Sequence, residues 1–200
     1  MNRFIFDVDG TLLDSEPIFY DSLNYALELH SIHPQVSLHG LFGLTVKETL
    51  AKLNIPTNST VGAIWEKRFD ALSEKAPFYA GIEDTFARLS AQKAHIILVT
   101  SRNHATVDPI WKKSALSAYI EFCVAAEDTT KHKPHPEPLL LAISALNLDP
   151  KSTIYIGDTV HDYAAAQKAG ISFAAAGWNE KASSLPGIQL TSPADLLDLM

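Results

Sequence analysis

Two aspartates close the first apolar run of the chain, and their spacing is the first sign of chemistry. The segment reads Phe4-Ile5-Phe6-Asp7-Val8-Asp9-Gly10-Thr11-Leu12-Leu13-Asp14-Ser15. Residues i and i+2 of a strand point to one side, so Asp7 and Asp9 belong together where the strand runs out. Two carboxylates about 4 Å apart repel by on the order of 4 kcal/mol at an effective dielectric near 20. Such a pair requires a shared proton or a cation between them. Magnesium, a hard cation that prefers oxygen ligands, is the natural occupant.

Three further segments carry related groups. Val99-Thr100-Ser101-Arg102-Asn103 sets small hydroxyls and backbone N–H groups at a helix start, a ready anion site. Lys131-His132-Lys133-Pro134-His135-Pro136-Glu137-Pro138 is a proline-stiffened loop with a lysine just ahead of a helix. Ile156-Gly157-Asp158 is followed four residues later by Asp162. Each segment alone has a plain structural explanation: a solvated turn, a helix cap, a surface lysine. Their common position at strand ends is what points to a site.

The elements that must position them follow from periodicity. Apolar runs predict five strands, at residues 3–8, 95–99, 120–125, 153–156 and 172–175. Helical segments at 103–116, 136–146 and 160–169 separate the last four. Strands alternating with helices predict an α/β fold, a Rossmann-like doubly wound parallel sheet with helices on both faces. Unbroken runs such as Ile96-Ile97-Leu98-Val99 fit strands buried on both sides. In such a sheet, ligands bind beyond the carboxyl ends of the strands, where all four segments fall.

The first crossover is far too long for one helix. Residues 15–80 show no strand pattern, and helices are expected after Asp14 or Ser15, at 45–53 and at 61–74. This stretch reads as an inserted α-helical cap, with Pro77 and Gly81 marking the return. The expected division is a core of residues 1–14 and 81–200 with a cap of residues 15–80.

Composition bounds the function. The 200 residues are 46% hydrophobic and 20% charged, with a net charge of −7. That suits a globular chain with a substantial core. The acidity argues against sequence-independent nucleic-acid binding, though a local site can still take a phosphorylated metabolite. Cys123 is the single cysteine, so no disulfide framework exists and Cys123 reads as a buried hydrophobe. Neither a leader nor a membrane-length apolar run is evident, and the expected location is cytoplasmic, with no membrane partner.

Asp7-Val8-Asp9-Gly10-Thr11-Leu12-Leu13-Asp14, Thr100-Ser101, Lys133 with its prolines, and Gly157-Asp158-Thr159-Val160-His161-Asp162 together resemble the four motifs of the haloacid dehalogenase superfamily. The helical insertion resembles the cap of its phosphoglycolate-phosphatase-like and β-phosphoglucomutase-like branch. The resemblance implies a phosphatase that works through an aspartyl phosphate. It implies Asp7 as nucleophile, and Asp9 as general acid and base whose backbone carbonyl ligates magnesium. Asp7 and Asp158 would also ligate the metal, with Asp162 as ligand or support. Thr100, Ser101 and Gly10 would hold the phosphoryl group and Lys133 would neutralise it. A phosphate dianion beside three carboxylates needs both the dication and the lysine.

Rival readings stand beside this one. A phosphomutase of the β-phosphoglucomutase type shares Asp7 and Asp9, but related mutases tend to carry an acidic residue where this chain has Gly157. A dehalogenase needs neither magnesium nor an acid like Asp9. A non-catalytic binder of phosphorylated ligands need not keep nucleophile and acid together.

Other residues remain open. His132 and His135 flank Lys133 without a third spaced ligand and read as loop residues. His30, His33 and His39 read as surface or helix-end residues. Gly43-Leu44-Thr45 fits a loop aimed at the site, and equally a turn with Thr45 capping a helix. Lys47 and Arg102 fit substrate contact or surface, and Trp178 fits a pocket wall or core packing. The substrate's identity and the oligomeric state are not written in the sequence.

Overall fold

The computed structural model describes residues 1–38 and 40–200; His39 lies outside the described residues. Six strands, β1 (Arg3–Phe6), β2 (His95–Val99), β3 (Phe122–Val124), β4 (Thr153–Gly157), β5 (Ser172–Ala176) and β6 (Ile188–Leu190), form one sheet. Its order is β3-β2-β1-β4-β5-β6 and every pairing is parallel. The order reverses at β1, which lies between β2 and β4. That is the switch point at which ligands bind in such sheets.

Alternate residues of the strands feed two cores. Phe4, Phe6, Ile96, Leu98, Ile154 and Ile156 pack on one face against helices α4 (Ile82–Ala91) and α5 (His104–Lys112). Ile5, Ile97, Val99 and Tyr155 face the other way, onto α6 (Glu137–Ala145) and α7 (Val160–Ala169). The expected Rossmann-like doubly wound sheet is the observed one.

The segment after β1 folds around an apolar cluster of its own. Helices α1 (Glu16–Leu29), α2 (Val46–Lys52) and α3 (Thr60–Ser73) bury Phe19, Leu23, Leu50 and Trp65 together. Entry and exit of this segment are pinned side by side. Asp14 N donates to Pro77 O at 3.1 Å and Tyr79 N to Leu12 O at 2.9 Å.

The sequence reading misses two elements. Helix α4 carries Ile82, Phe86 and Leu89 at helical spacing, all fully buried. Strand β6 is a three-residue edge strand in which only Leu190 is buried, too short to show a period. The helix expected over 103–116 stops at Lys112 and gives way to a 3-10 turn, Ala115–Ala118, capped by the Ser114 hydroxyl. Cys123 is buried and unbridged, and among the described residues no helix is long and apolar enough to cross a membrane.

Candidate active site

Strand β1 ends at Phe6, so Asp7 is the first residue beyond it, held by its N–H on Ile156 O at 2.9 Å. This places Asp7 between the ends of β2 and β4, almost wholly buried. Lys133 reaches the same point from the loop before α6. Its Nζ donates to Asp7 Oδ1 at 2.6 Å, to Asp162 Oδ1 at 2.8 Å and to the Tyr155 hydroxyl at 3.2 Å. All three ammonium protons are thereby used. Burial alone would lower the lysine's pKa, but Asp162 and Asp7 hold it above its ordinary value.

Asp162 has two jobs. It is the third residue of α7 and closes a capping box with Thr159. Its Oδ2 accepts from Thr159 N at 3.0 Å and Oγ1 at 2.5 Å, and its Oδ1 accepts from Lys133 and, at 2.8 Å, from the Tyr155 hydroxyl. Four donors meet the four lone-pair sites of one carboxylate. Burial opposes its ionisation, yet Lys133 and these hydrogen bonds keep its pKa low. A Cβ at Gly157 would lie 2.5 Å from Asp162 Cβ, so this packing leaves no room for a side chain there.

Asp158 stands on the far side of the cluster. Thr11 Oγ1 and Asn179 Nδ2 each donate to it at 3.0 Å. Burial, then Asp162 and Asp7, push its pKa well above the usual carboxylate range. Burial likewise pushes Asp7 up, to about 7, against the pull of Lys133. Asp7 Oδ2 is buried with no hydrogen-bond partner among the described residues, an arrangement that carries a full desolvation penalty.

These observations test the expected cation. Asp7, Asp158 and Asp162 bring carboxylate oxygens within 4.8 Å of one another. With all three ionised, the carboxylates face one ammonium and are two charges short of balance, and Asp7 Oδ2 has no hydrogen-bond partner among the described residues. A hard dication with oxygen ligands fits this donor set. Asp7 and Asp158 have coordinating capacity left, whereas Asp162 is committed to Lys133, Tyr155 and Thr159.

Asp9 is the site's second acid, and Arg102 takes hold of it. The guanidinium donates from Nε to Oδ2 at 2.7 Å and from Nη2 to Oδ1 at 2.6 Å, while Ser15 Oγ adds a bond to Oδ1 at 2.5 Å. Burial would raise this carboxyl, but Arg102 outweighs it and holds the pKa below the ordinary value. Arg102 is itself only 6% exposed, which excludes the surface alternative. Its Nη1 donates to Ser73 Oγ at 2.9 Å, and its head lies 4.5 Å from the centre of the Phe69 ring. One guanidinium thus joins the first motif to the last helix of the insertion.

The remaining expected residues sort by what they touch. Thr100 is buried at the end of β2, with Oγ1 accepting from Arg102 N at 3.1 Å. Ser101 lends its proton to Gly43 O at 2.8 Å, so its hydroxyl binds the insertion's loop rather than standing free. Gly10 has φ +80°, and a Cβ there would fall on the Asp158 carboxyl and 2.7 Å from the Phe42 ring; only glycine suits that turn. Gly43-Leu44-Thr45 is both a loop at the site and a cap, since Thr45 accepts from Glu48 N and closes a capping box. Trp178 braces the first motif from outside, Nε1 donating to Thr11 O at 2.9 Å.

Lys47 and His132 line a cavity of about 300 Å³ beside Asp9. His30 ends α1, bonded to Ala26 O and Thr60, and His33 is exposed. Sequence reasoning missed Tyr155, Asn179 and Ser15. The Tyr155 hydroxyl stands between Ile154 and Ile156 in a buried strand, the local signal available for it.

The model of the haloacid dehalogenase-like hydrolases matches residues 4–176. The chain belongs to that family. This haloacid dehalogenase-like hydrolase is 26% identical over 210 residues to pyrophosphatase PpaX of Bacillus thuringiensis (strain Al Hakam), an alignment covering 100% of the chain and 96% of the relative. Among solved structures it is similar to a suggested phosphoglycolate phosphatase of Lactobacillus plantarum, with TM-score 0.85, 24% identity and coverage of 100% and 99%. It is also similar to CbbY of Rhodobacter sphaeroides in complex with phosphate, with TM-score 0.81, 20% identity and coverage of 98% and 96%. The two structural likenesses establish the shared fold of this hydrolase.

Proposed function

We propose that the protein is a magnesium-dependent phosphatase that hydrolyses a small phosphorylated metabolite through an aspartyl phosphate on Asp7. The observation that carries this reading is the buried Asp7 carboxylate, with one oxygen on Lys133 at 2.6 Å and the other without a partner among the described residues. The name of its relative PpaX and the phosphate held by CbbY are in keeping with it. Residues 15–80 act as a cap over a core of residues 1–14 and 81–200. The buried, unbridged Cys123 fits a reducing, cytoplasmic setting.

In this reading Asp7 attacks phosphorus and the ester P–O bond breaks. Asp9 is ionised while both its oxygens are held by Arg102. Once turned off Arg102 and protonated from solvent, it gives that proton to the departing oxygen, then takes one from the water that attacks the aspartyl phosphate. Orthophosphate leaves and Asp7 is restored. Lys133, fixed by Asp162 and Tyr155, offsets charge at Asp7 throughout. Asp7, Asp158 and the Asp9 backbone carbonyl would hold magnesium, which supplies neutralising charge for the phosphoryl oxygens. Asp162 serves by orienting Lys133. Hydrolysis is favoured over phosphoryl transfer within a sugar, because the mutase-type acidic side chain cannot be housed where Gly157 packs on Asp162.

The test is release of orthophosphate from p-nitrophenyl phosphate. Wild-type protein with magnesium should turn over, EDTA should stop it, and Asp7→Asn should lose at least about a thousandfold in kcat while staying folded. Turnover by Asp7→Asn, or turnover indifferent to chelation, defeats the mechanism.

A further inference from the structure

We infer that the cavity beside Asp9 receives an uncharged, largely apolar leaving group, and that it discriminates against substrates whose leaving group is itself an anion. The inference rests on the phosphatase reading: Asp9 lines the cavity, and the acid that protonates the departing oxygen must stand next to the departing group.

The cavity's wall decides the chemistry. One side is aromatic. Phe19 is the hub, with the rings of Phe42, Trp65 and Phe69 set edge-on at 5.2, 5.1 and 5.9 Å, and all four line the space. Such a surface favours a flat apolar partner.

The other side is acidic. Glu66, Asp70 and Glu127 join Asp9 there, against only Arg102 and Lys47. Arg102 is already spent. Two of its nitrogens are on Asp9, a third is on Ser73 Oγ, and Asp70 Oδ1 lies 3.8 Å from it. Lys47 is exposed at the rim. A second phosphate or a carboxylate in this cavity would therefore meet two carboxylates that no cation offsets, Glu66 and Glu127, and one mobile cation, Lys47. Juxtaposed like charges discriminate against such a partner. Pyrophosphate, the substrate in PpaX's name, carries such a leaving group.

The experiment compares kcat/KM, with magnesium, for benzyl phosphate, 2-phosphoglycolate and pyrophosphate. Benzyl phosphate and 2-phosphoglycolate both release an alcohol, so their difference reports the cavity rather than bond reactivity. Benzyl phosphate should be preferred by about a hundredfold. Glu66→Lys should narrow that gap by raising activity on 2-phosphoglycolate; Glu127→Lys, at an exposed position, gives the same test if the first variant fails to fold. Equal or greater activity on either anionic substrate, or a gap unmoved by both variants, overturns this inference and leaves the phosphatase reading intact. Failure to hydrolyse any of the three or p-nitrophenyl phosphate overturns both.

Discussion

Asp9 and Arg102 show how a single side chain can tie chemistry to architecture. In the arrangement seen, both Asp9 oxygens accept hydrogen bonds from Arg102, and Oδ1 also from Ser15. The carboxylate is therefore fixed in direction but fully engaged. Arg102→Met removes one partner of a largely buried pair, and such losses destabilise by roughly 3–5 kcal/mol because the other charge is stranded. Denaturant unfolding should show a drop of that size. A purely structural role would lower activity on all substrates alike. A positioning role predicts a larger kcat loss, about tenfold or more, for alkyl phosphates that need leaving-group protonation than for p-nitrophenyl phosphate, which needs little. Arg102→Lys keeps the charge without the fork and should fall between. The sequence left Arg102 open between substrate and surface because its partner, Asp9, lies 93 positions away. Asp7 and Asp9 were legible because their i, i+2 spacing is local.

Elements were legible in proportion to how much local pattern they carry. The unbroken run of β2 announces itself within a few residues. Edge strand β6 does not, since only Leu190 of its three residues is buried. Helix α4 had a signal, with Ile82, Phe86 and Leu89 on one face, that was obscured by its position at the return from the insertion. The chain's last element, a 3-10 turn at Pro193–Leu199, packs Leu196 into the core below α4. Its start is held by Asp195, which accepts from the Ser192 hydroxyl at 2.8 Å and from Thr191 N at 2.7 Å. The Ser192 hydroxyl first, then Thr191, lower the Asp195 pKa from 3.8 to about 2. A depressed folded-state pKa means a contribution present above the unfolded value and lost as pH falls through the folded one. Asp195→Ala should therefore cost about 1 kcal/mol at neutral pH, a fall of roughly 2–4 °C in melting temperature for a chain of this size. The gap between variant and wild type should be constant above pH 4 and shrink as pH approaches 2. A pH-independent gap would assign the effect to packing instead.

On the scale of the whole molecule, the site is a seam between two apolar clusters with different contents. The residues just past β1 and β4 supply Asp7 and Asp158, the loops supply Lys133 and Arg102, and the segment between β1 and β2 supplies Ser73 and the Gly43 carbonyl. Folding gathers three carboxylates and one ammonium into a buried space, so the native state is under electrostatic load that the unfolded chain does not carry. Anything that binds this cluster in the folded state alone must raise stability by RT ln(1 + [L]/Kd). Magnesium at a hundred times its Kd should add about 2.7 kcal/mol, or roughly 5–10 °C in melting temperature. Two variants separate site from surface. Asp158→Asn removes one of the two carboxylates with coordinating capacity left, so it should melt at least as high as wild type without metal and lose most of the magnesium increment. Glu180→Gln, at an exposed position, should keep the whole increment. An equal rise in all three proteins would show that magnesium acts on the general acidity of a chain with net charge −7, and would leave the buried cluster without its cation.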